Sequence, residues 1–176
     1  MRRLTHSELL LERHTANELQ TMQRHPIVVV LQDVRSRYNV GSIFRSADAF
    51  RIHELILTGY TPAPPSTEIS KTALGSVDTV PFRKVQEIHD VLDSLESNGF
   101  TLCAVELTTP TLPISELQPT MYPLAMILGN ELDGVSADVL ERCTTGVHIP
   151  MYGIKHSLNV AVAAGIAMYE AVRQKP

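Results

Sequence analysis

The sequence contains no tryptophan, and only 5% of its 176 residues are aromatic. Because single-stranded nucleic acids are often bound on aromatic stacking platforms, the composition does not favour a protein built around such a platform. Cysteine is also scarce, since Cys103 and Cys143 are the only two and they lack C-x-x-C spacing. Neither a disulfide framework nor a zinc knuckle is therefore suggested, and we expect two buried, reduced thiols of a cytoplasmic protein.

Long apolar runs and common nucleotide-binding motifs are missing as well. The apolar stretch 160–168 is much shorter than the roughly 20 apolar residues that a membrane-spanning helix needs, so we interpret it as a core helix and expect no membrane partner. The first residues include only a three-leucine run, from which we expect no targeting segment. Neither G-x-G-x-x-G nor G-x-x-x-x-G-K-[ST] occurs, which argues against dinucleotide and P-loop sites.

The net charge of -4 weakly opposes a nucleic-acid partner, but the charges are unevenly distributed. Residues 1–51 contain eight Lys and Arg against five acidic residues, whereas residues 85–141 contain ten acidic residues and no Lys or Arg. The N-terminal third could therefore meet an anionic partner. Ordinary solvated charge explains the same distribution equally well.

The chain length suits one compact domain. We expect an N-terminal helical extension over residues 1–25, followed by an α/β domain over 26–176. The alternation of strands with helices predicts a mainly parallel, open sheet with helices on both faces. The predicted strands are 27–32, 54–59, 100–107, 123–129 and 146–150; the predicted helices are 6–23, 40–50, 85–98, 136–142 and 160–168; the proline-rich segment 60–70 is predicted to be a loop.

Three loops beyond the carboxyl ends of predicted strands hold the candidate functional residues, because ligands bind at that edge of open parallel sheets. The first contains Asn39, a candidate helix cap, and Arg45, which is otherwise an ordinary surface arginine. The second begins at Gly129, where the backbone can approach a ligand closely. The third places Ser157 as a helix N-cap and Asn159 near the second helical position, where asparagine is unfavourable and so indicates a functional contact.

Taken together, these loops resemble a known family. The chain is similar, in order and spacing, to the three motifs of the SpoU (TrmH-like) branch of the SPOUT RNA methyltransferases, through "NVGSIFRSADAF", "LGNELDGVSADVL" and "IPMYGIKHSLNVAVAAGIAMYEA". The resemblance covers about residues 26–173. It implies a sheet whose C-terminal segment forms a deep trefoil knot, a homodimer with its catalytic pocket completed across the interface, and methyl transfer from S-adenosylmethionine to a ribose 2′-hydroxyl of tRNA or rRNA.

The resemblance also assigns roles to individual residues. It implies that S-adenosylmethionine is held by backbone groups of Gly129, Ile149 and Leu158. Their implied neighbours in the cofactor site are Leu107, Thr108, Asn130 and Met151. The polar motif positions, which the resemblance makes catalytic, are Asn39, Arg45, Glu131, Ser157 and Asn159. No metal is implied.

Arg45 is the proposed base in this family, but a guanidinium stays protonated at neutral pH. We therefore interpret Arg45 as a residue that positions an RNA phosphate and stabilises developing alkoxide charge, and the proton acceptor stays open. Glu131 is interpreted as an orienting residue that holds Asn39 or Arg45. Asn159 is interpreted as a hydrogen-bond partner of the ribose or its neighbours.

The RNA substrate is the least constrained prediction. No ribosomal-protein-like RNA-binding domain is visible ahead of the motifs, so we expect recognition to rest on the core dimer, the 59–70 loop and the extension, which favours tRNA over rRNA. The basic residues of that extension are Arg2, Arg3 and Arg13. Lys155 and His156 are further candidates for an RNA contact. Two alternatives stay open: a non-catalytic RNA-binding or assembly factor on the same scaffold, and a methyltransferase that modifies a base.

Overall fold

The computed structural model describes residues 1–11, 14, 18–19 and 22–176. In this part of the chain, seven strands form one sheet in the order β3-β2-β1-β6-β4-β7-β5, and every neighbouring pair is parallel. The strands are β1 (His25–Gln32), β2 (Ile52–Thr58), β3 (Phe82–Val85), β4 (Thr101–Val105), β5 (Leu112–Pro113), β6 (Leu124–Leu128) and β7 (Thr145–His148). The predicted parallel α/β sheet is therefore confirmed.

Helices cover both faces of this sheet. They are α2 (Arg37–Ala49), α3 (Thr67–Ala73), α4 (Ile88–Ser97), α5 (Ala137–Leu140) and α6 (Val160–Gln174), whereas α1 (His6–Leu11) belongs to the N-terminal extension. Because side chains alternate along a strand, β1 contributes Ile27, Val29 and Leu31 to one hydrophobic cluster and Val28 and Val30 to another. The first cluster includes residues of α2, α3 and α6, and the second includes residues of α4 and α5.

The segment 60–70 is only partly a loop, so that prediction is wrong for its second half. Its prolines end at Pro65, and Ser66 then caps α3, with its Oγ accepting a hydrogen bond from the backbone N–H of Ile69 at 3.5 Å. α3 packs so closely on α2 that a Cβ atom built on Gly41 would lie 2.1 Å from Thr72 Oγ1. Tertiary packing therefore stabilises a helix directly after the proline-rich stretch.

The sequence does not predict the two edge strands, β3 and β5. β3 ends with Val85, which the helical periodicity assigns to the following helix, whereas α4 begins only at Ile88. β5 has two residues and pairs with β7 at the opposite edge. Strands this short show too little alternation to be distinguished from loops.

The N-terminal extension contains the predicted helix start. The backbone N–H of Thr5 donates to Glu8 Oε2 at 2.7 Å, and the backbone N–H of Glu8 donates to Thr5 Oγ1 at 3.3 Å, which is a capping box. α1 covers the first turns of the predicted helix, and Arg13 lies outside the described residues. Arg51, in the turn before β2, donates through Nη2 to the carbonyl oxygen of Leu19 at 2.9 Å. The extension therefore contacts the sheet at the amino ends of its strands, which we call the amino edge.

α6 is a core helix, as the apolar stretch 160–168 predicts. Ala164, Ala167 and Met168 are buried, and a Cβ atom built on Gly165 would lie 3.5 Å from Ser46 Oγ of α2. No helix in the described residues has the length and apolar character needed to cross a membrane. The trefoil knot implied by the resemblance stays a prediction.

Candidate active site

The carboxyl ends of β1, β6, β4 and β7 lie next to one another, because these four strands are consecutive neighbours in a parallel sheet. The chain leaves them through the segments 33–36, 129–136, 106–111 and 149–159, respectively. The last three segments contain every predicted cofactor-binding residue, and the first leads into α2, which carries the two polar residues of the first motif. The fold therefore brings the three motifs together at the carboxyl ends of the strands, which we call the carboxyl edge.

A chain of hydrogen bonds joins the three motifs at this edge. Glu131 Oε1 accepts a hydrogen bond from Asn39 Nδ2 at 3.1 Å, and Asn39 Oδ1 accepts one from Asn159 Nδ2 at 3.2 Å. Asn159 Oδ1 in turn accepts one from the backbone N–H of Ala161 at 2.9 Å. We call Glu131, Asn39 and Asn159 the amide relay. It contains the contact predicted between Glu131 and Asn39, and it leaves one N–H of each amide available to another acceptor.

The electrostatic environment of Glu131 keeps its carboxyl ionised. Burial raises the pKa of Glu131, but hydrogen bonds from the backbone N–H groups of Glu131, Arg35 and Ser36 and from the Asn39 amide outweigh burial and place the pKa below its ordinary value. The Arg35 N–H lies 3.3 Å from Glu131 Oε2. A carboxylate with a lowered pKa is a poor proton acceptor near neutral pH. Its contacts support an orienting role instead.

The two asparagines differ from their predicted local roles. Ser36, not Asn39, caps α2, because Ser36 Oγ accepts a hydrogen bond from the backbone N–H of Asn39 at 3.3 Å. Asn159, not Ser157, caps α6, which begins at the buried Val160. The expected unfavourable position of Asn159 is therefore wrong, since the N-cap is among the best positions for asparagine. Ser157 is exposed and makes no hydrogen bond within the described residues.

Arg45 lies apart from the amide relay. It is six residues after Asn39 on α2, which corresponds to about 9 Å along a helix axis, and its side chain is exposed. It forms no hydrogen bond or ion pair with any residue that the structure describes, so the alternative contact from Glu131 is not observed. Its guanidinium is therefore available to an anion from outside this chain.

The turn after β6 depends on glycine. A Cβ atom built on Gly129 would lie 1.9 Å from the backbone carbon of Gly134, which itself has a φ of 68°. Asn130 Oδ1 accepts hydrogen bonds from the backbone N–H groups of Leu132 and Asp133, each at 2.8 Å. The Asn130 side chain therefore holds the turn, and any side chain at position 129 would displace it.

Two side chains that sequence reasoning missed tie these loops together. Glu106 accepts hydrogen bonds from the backbone N–H groups of Leu107 at 2.9 Å and Val135 at 3.4 Å, which connects the loops after β4 and β6. Gln32 Nε2 donates to Ser136 Oγ at 2.6 Å, and Gln32 Oε1 accepts from the Ser136 N–H at 3.0 Å. Both are polar residues at the carboxyl end of a buried strand, which is the signal that could have identified them.

The remaining cofactor candidates present apolar side chains with unused backbone groups. Leu107 is 64% exposed, and Met151 and Leu158 are each 37% exposed. Ile149 and Leu158 make no hydrogen bond within the described residues, so their backbone N–H and C=O groups are available. Thr108 differs, because its Oγ1 donates to the carbonyl oxygen of Pro110 at 2.7 Å. No cluster of three His, Cys, Asp or Glu side chains in the described part of the chain could hold a metal ion.

The comparisons with known proteins identify the family of this chain. The model of the SpoU rRNA methylase family matches residues 26–169. The 23S rRNA (guanosine-2'-O-)-methyltransferase RlmB of Neisseria meningitidis is 30% identical over 164 residues, which are 92% of this chain and 64% of that protein. The chain thus spans less than two thirds of this curated relative.

Solved structures show the same similarity in three dimensions. The AdoMet-bound rRNA methyltransferase from Sinorhizobium meliloti superposes with a TM-score of 0.80 and 29% identity, covering 88% of this chain and 59% of that one. A structure described for the 2-OH methylation of C/U34 on tRNA superposes with a TM-score of 0.75 and 28% identity, covering 84% of this chain and 95% of that one. The chain belongs to the SpoU rRNA methylase family.

Proposed function

We propose that this chain is an S-adenosylmethionine-dependent RNA methyltransferase that modifies a ribose 2′-hydroxyl. The observation that carries the proposal is the amide relay, which joins one polar residue from each of the three motifs at the carboxyl edge of the sheet. A non-catalytic scaffold protein has no evident need for this arrangement. The similarity to a guanosine-2'-O-methyltransferase and to an AdoMet-bound rRNA methyltransferase supports the same activity.

The residues around the relay fit S-adenosylmethionine. Its adenine is a flat apolar ring with polar edges; among the cofactor candidates, Ile149 and Leu158 offer unpaired backbone groups, and Leu107 and Met151 offer exposed apolar side chains. This donor set suits adenine, because backbone N–H and C=O groups can satisfy the polar edge while the side chains cover the ring. When bound, the cofactor supplies an electrophilic methyl group on a sulfonium.

The chain's own polar residues act on the ribose. Asn39 and Asn159 are fixed by the relay, and each retains an N–H that can orient the ribose or a neighbouring oxygen. Arg45 holds an RNA phosphate and stabilises charge that develops on the 2′-oxygen. Glu131 keeps Asn39 in place without accepting the proton.

The protein acts as a homodimer in this proposal. Val162, Ile166 and Tyr169 of α6 are 51%, 38% and 56% exposed, and their spacing places them on one face of the helix. Tyr152 and Ile154, just before α6, are 97% and 93% exposed. A second copy that covers this apolar surface would reach both α6 and the neighbouring α2, which carries Arg45.

We propose tRNA as the substrate class. The structure described for methylation of C/U34 on tRNA is covered over 95% of its length, which supports tRNA. The similarity to a 23S rRNA guanosine methyltransferase over 64% of that protein supports rRNA as the second candidate. The attachment of the N-terminal extension at the amino edge, away from the relay, does not favour a substrate contact from the extension within one chain.

The deciding experiment supplies methyl-labelled S-adenosylmethionine to the purified protein with total tRNA or with rRNA. We expect label in nuclease-resistant 2′-O-methyl dinucleotides from tRNA. Label in the same dinucleotides from rRNA alone would identify the second candidate, and label in a modified base would contradict ribose methylation. Cofactor binding without incorporation into either RNA would refute the enzymatic proposal.

A further inference from the structure

Arg35 and Tyr60 form an exposed pair directly beside the amide relay. The Arg35 guanidinium carbon lies 5.6 Å from the centroid of the Tyr60 ring, and Tyr60 is 54% exposed. The backbone N–H of Arg35 donates to the Glu131 carboxylate. The pair therefore lies next to the site at which the ribose would bind, although neither residue belongs to the polar motif positions.

The backbone beneath this pair is held by several hydrogen bonds. The backbone N–H of Tyr60 donates to Asp33 Oδ1 at 3.0 Å. The Thr61 hydroxyl donates to the carbonyl oxygen of Leu31 at 3.1 Å and accepts from the backbone N–H of Val34 at 3.0 Å. Lys84 Nζ donates to the carbonyl oxygen of Thr61 at 2.8 Å. These contacts connect the loops after β1 and β2, so the pair stands on a fixed support.

The loops beneath the pair also contain two left-handed backbone conformations. Asp33 has a φ of 56°, which is unfavourable for a residue with a side chain. Gly59 also has a φ of 56°, and a Cβ atom built on it would lie 1.9 Å from Asp33 Oδ1. Strained backbone commonly persists where it positions functional groups, and here the group that it presents to solvent is the Tyr60 ring.

The charges around Arg35 favour contact with a base rather than with a phosphate. A hydrogen bond with the Tyr60 side chain raises the pKa of Arg35, and the Asp133 and Glu131 carboxylates raise it further. These carboxylates offset the positive charge that a phosphate would need. A guanidinium plane beside an exposed aromatic ring is instead suited to stacking on a nucleobase.

We infer that Arg35 and Tyr60 form a stacking platform for an unpaired base of the RNA that flanks the methylated nucleotide. This inference rests on the proposed function, because it takes RNA as the ligand. It gives the enzyme a contact that requires a single-stranded or unstacked segment at the target. Stacking of this kind is tolerant of base identity, so the platform selects an exposed base rather than a particular sequence.

The test compares binding of a short single-stranded oligoadenylate with binding of an abasic ribose-phosphate chain of equal length. We expect the wild-type protein to bind the oligoadenylate about tenfold more tightly than the abasic chain. Tyr60→Ala and Arg35→Ala should each remove most of this difference, whereas Tyr60→Phe should retain it. The dependence of affinity on salt concentration should be unchanged in Tyr60→Ala, because no phosphate contact is lost.

A matched control is Arg142→Ala, which removes an arginine near the amino edge that pairs with Asp93 and Glu96. It should bind both chains as the wild type does. The inference is overturned if the wild type does not distinguish the two chains, or if Tyr60→Ala retains the preference. Base-dependent binding without methylation of any RNA would refute the proposed activity while leaving the platform intact.

Discussion

Removing the negative charge of Glu131 should slow methyl transfer because it releases Asn39. Glu131→Gln keeps the shape of the side chain, but one of its two terminal atoms becomes an N–H donor facing the backbone N–H of Arg35 or the Asn39 amide. Hydrogen bonds to charged groups contribute about 1.5–3 kcal/mol when well buried. Glu131 is largely exposed, so we expect a stability loss of only about 1 kcal/mol.

The effect on turnover should exceed the effect on stability. Misplacing an orienting group by about 1 Å can lower a rate by roughly 100-fold, and we expect kcat to fall roughly 10- to 100-fold for Glu131→Gln and for Asn39→Ala. Because both changes break one relay, the double variant should lose little more than either single variant, which corresponds to a coupling of about 1–3 kcal/mol. Affinity for S-adenosylmethionine, measured by calorimetry, should change by less than about threefold, since in the proposed reaction the relay contacts the RNA ribose and not the cofactor.

Glu141→Gln is the matched control, because Glu141 is an exposed carboxylate after α5 whose side chain has no partner among the described residues. It should retain wild-type kcat in the labelled-methyl assay. Two results would refute the reasoning: a Glu131→Gln variant that keeps at least half of wild-type turnover, or losses in the two single variants that simply add in the double variant. Either would mean that Glu131 does not act through Asn39.

Three further predictions follow from the same structure. Arg45→Ala should lower kcat at least about 100-fold while cofactor affinity by calorimetry stays unchanged; near-normal methylation would contradict the role given to Arg45. Val162→Glu should shift the protein from dimer to monomer in light scattering after size exclusion, whereas an unchanged mass would place the interface elsewhere. Burial raises the pKa of Cys103 to about 12. The stability that the protonated thiol contributes is therefore complete below the pKa of the unfolded chain and is lost as the pH rises towards 12. In denaturant titrations at alkaline pH, the free energy of unfolding should decline less with pH for Cys103→Ala than for the wild type.

The central strands could be predicted because each is a continuous run of apolar residues in the sequence. β1 is a continuous run of β-branched and aliphatic residues that is buried from Ile27 to Leu31, and such runs indicate strands covered on both faces. α3 was not predictable in the same way, since the prolines before Ser66 predict a loop and the close packing against Gly41 is a tertiary contact. The short edge strand β3 depends likewise on pairing with β2.

The residues of the candidate site could likewise be predicted from the sequence, whereas the contacts between them could not. The motif pattern identified Asn39, Glu131 and Asn159, but only the fold shows that their side chains form one relay, because Asn39 and Asn159 are 120 positions apart. Local propensity also does not decide whether Ser157 or Asn159 caps α6, since both residue types cap helices well. The structure favours Asn159 because Val160 is buried and begins the helix.

α6 connects the two parts of the proposal, the relay and the dimer. Asn159 caps the helix and binds Asn39 of α2, and the first exposed apolar residue, Val162, follows one turn later. A partner that packs on this face would restrain the same turn of α6 that positions Asn159. Because a relay of two amides and one carboxylate tolerates little displacement, dissociation of the proposed dimer should weaken the Asn39–Asn159 contact before it disturbs the sheet. The dimer interface would then contribute to catalysis through the position of α6 as well as through the residues that it brings across.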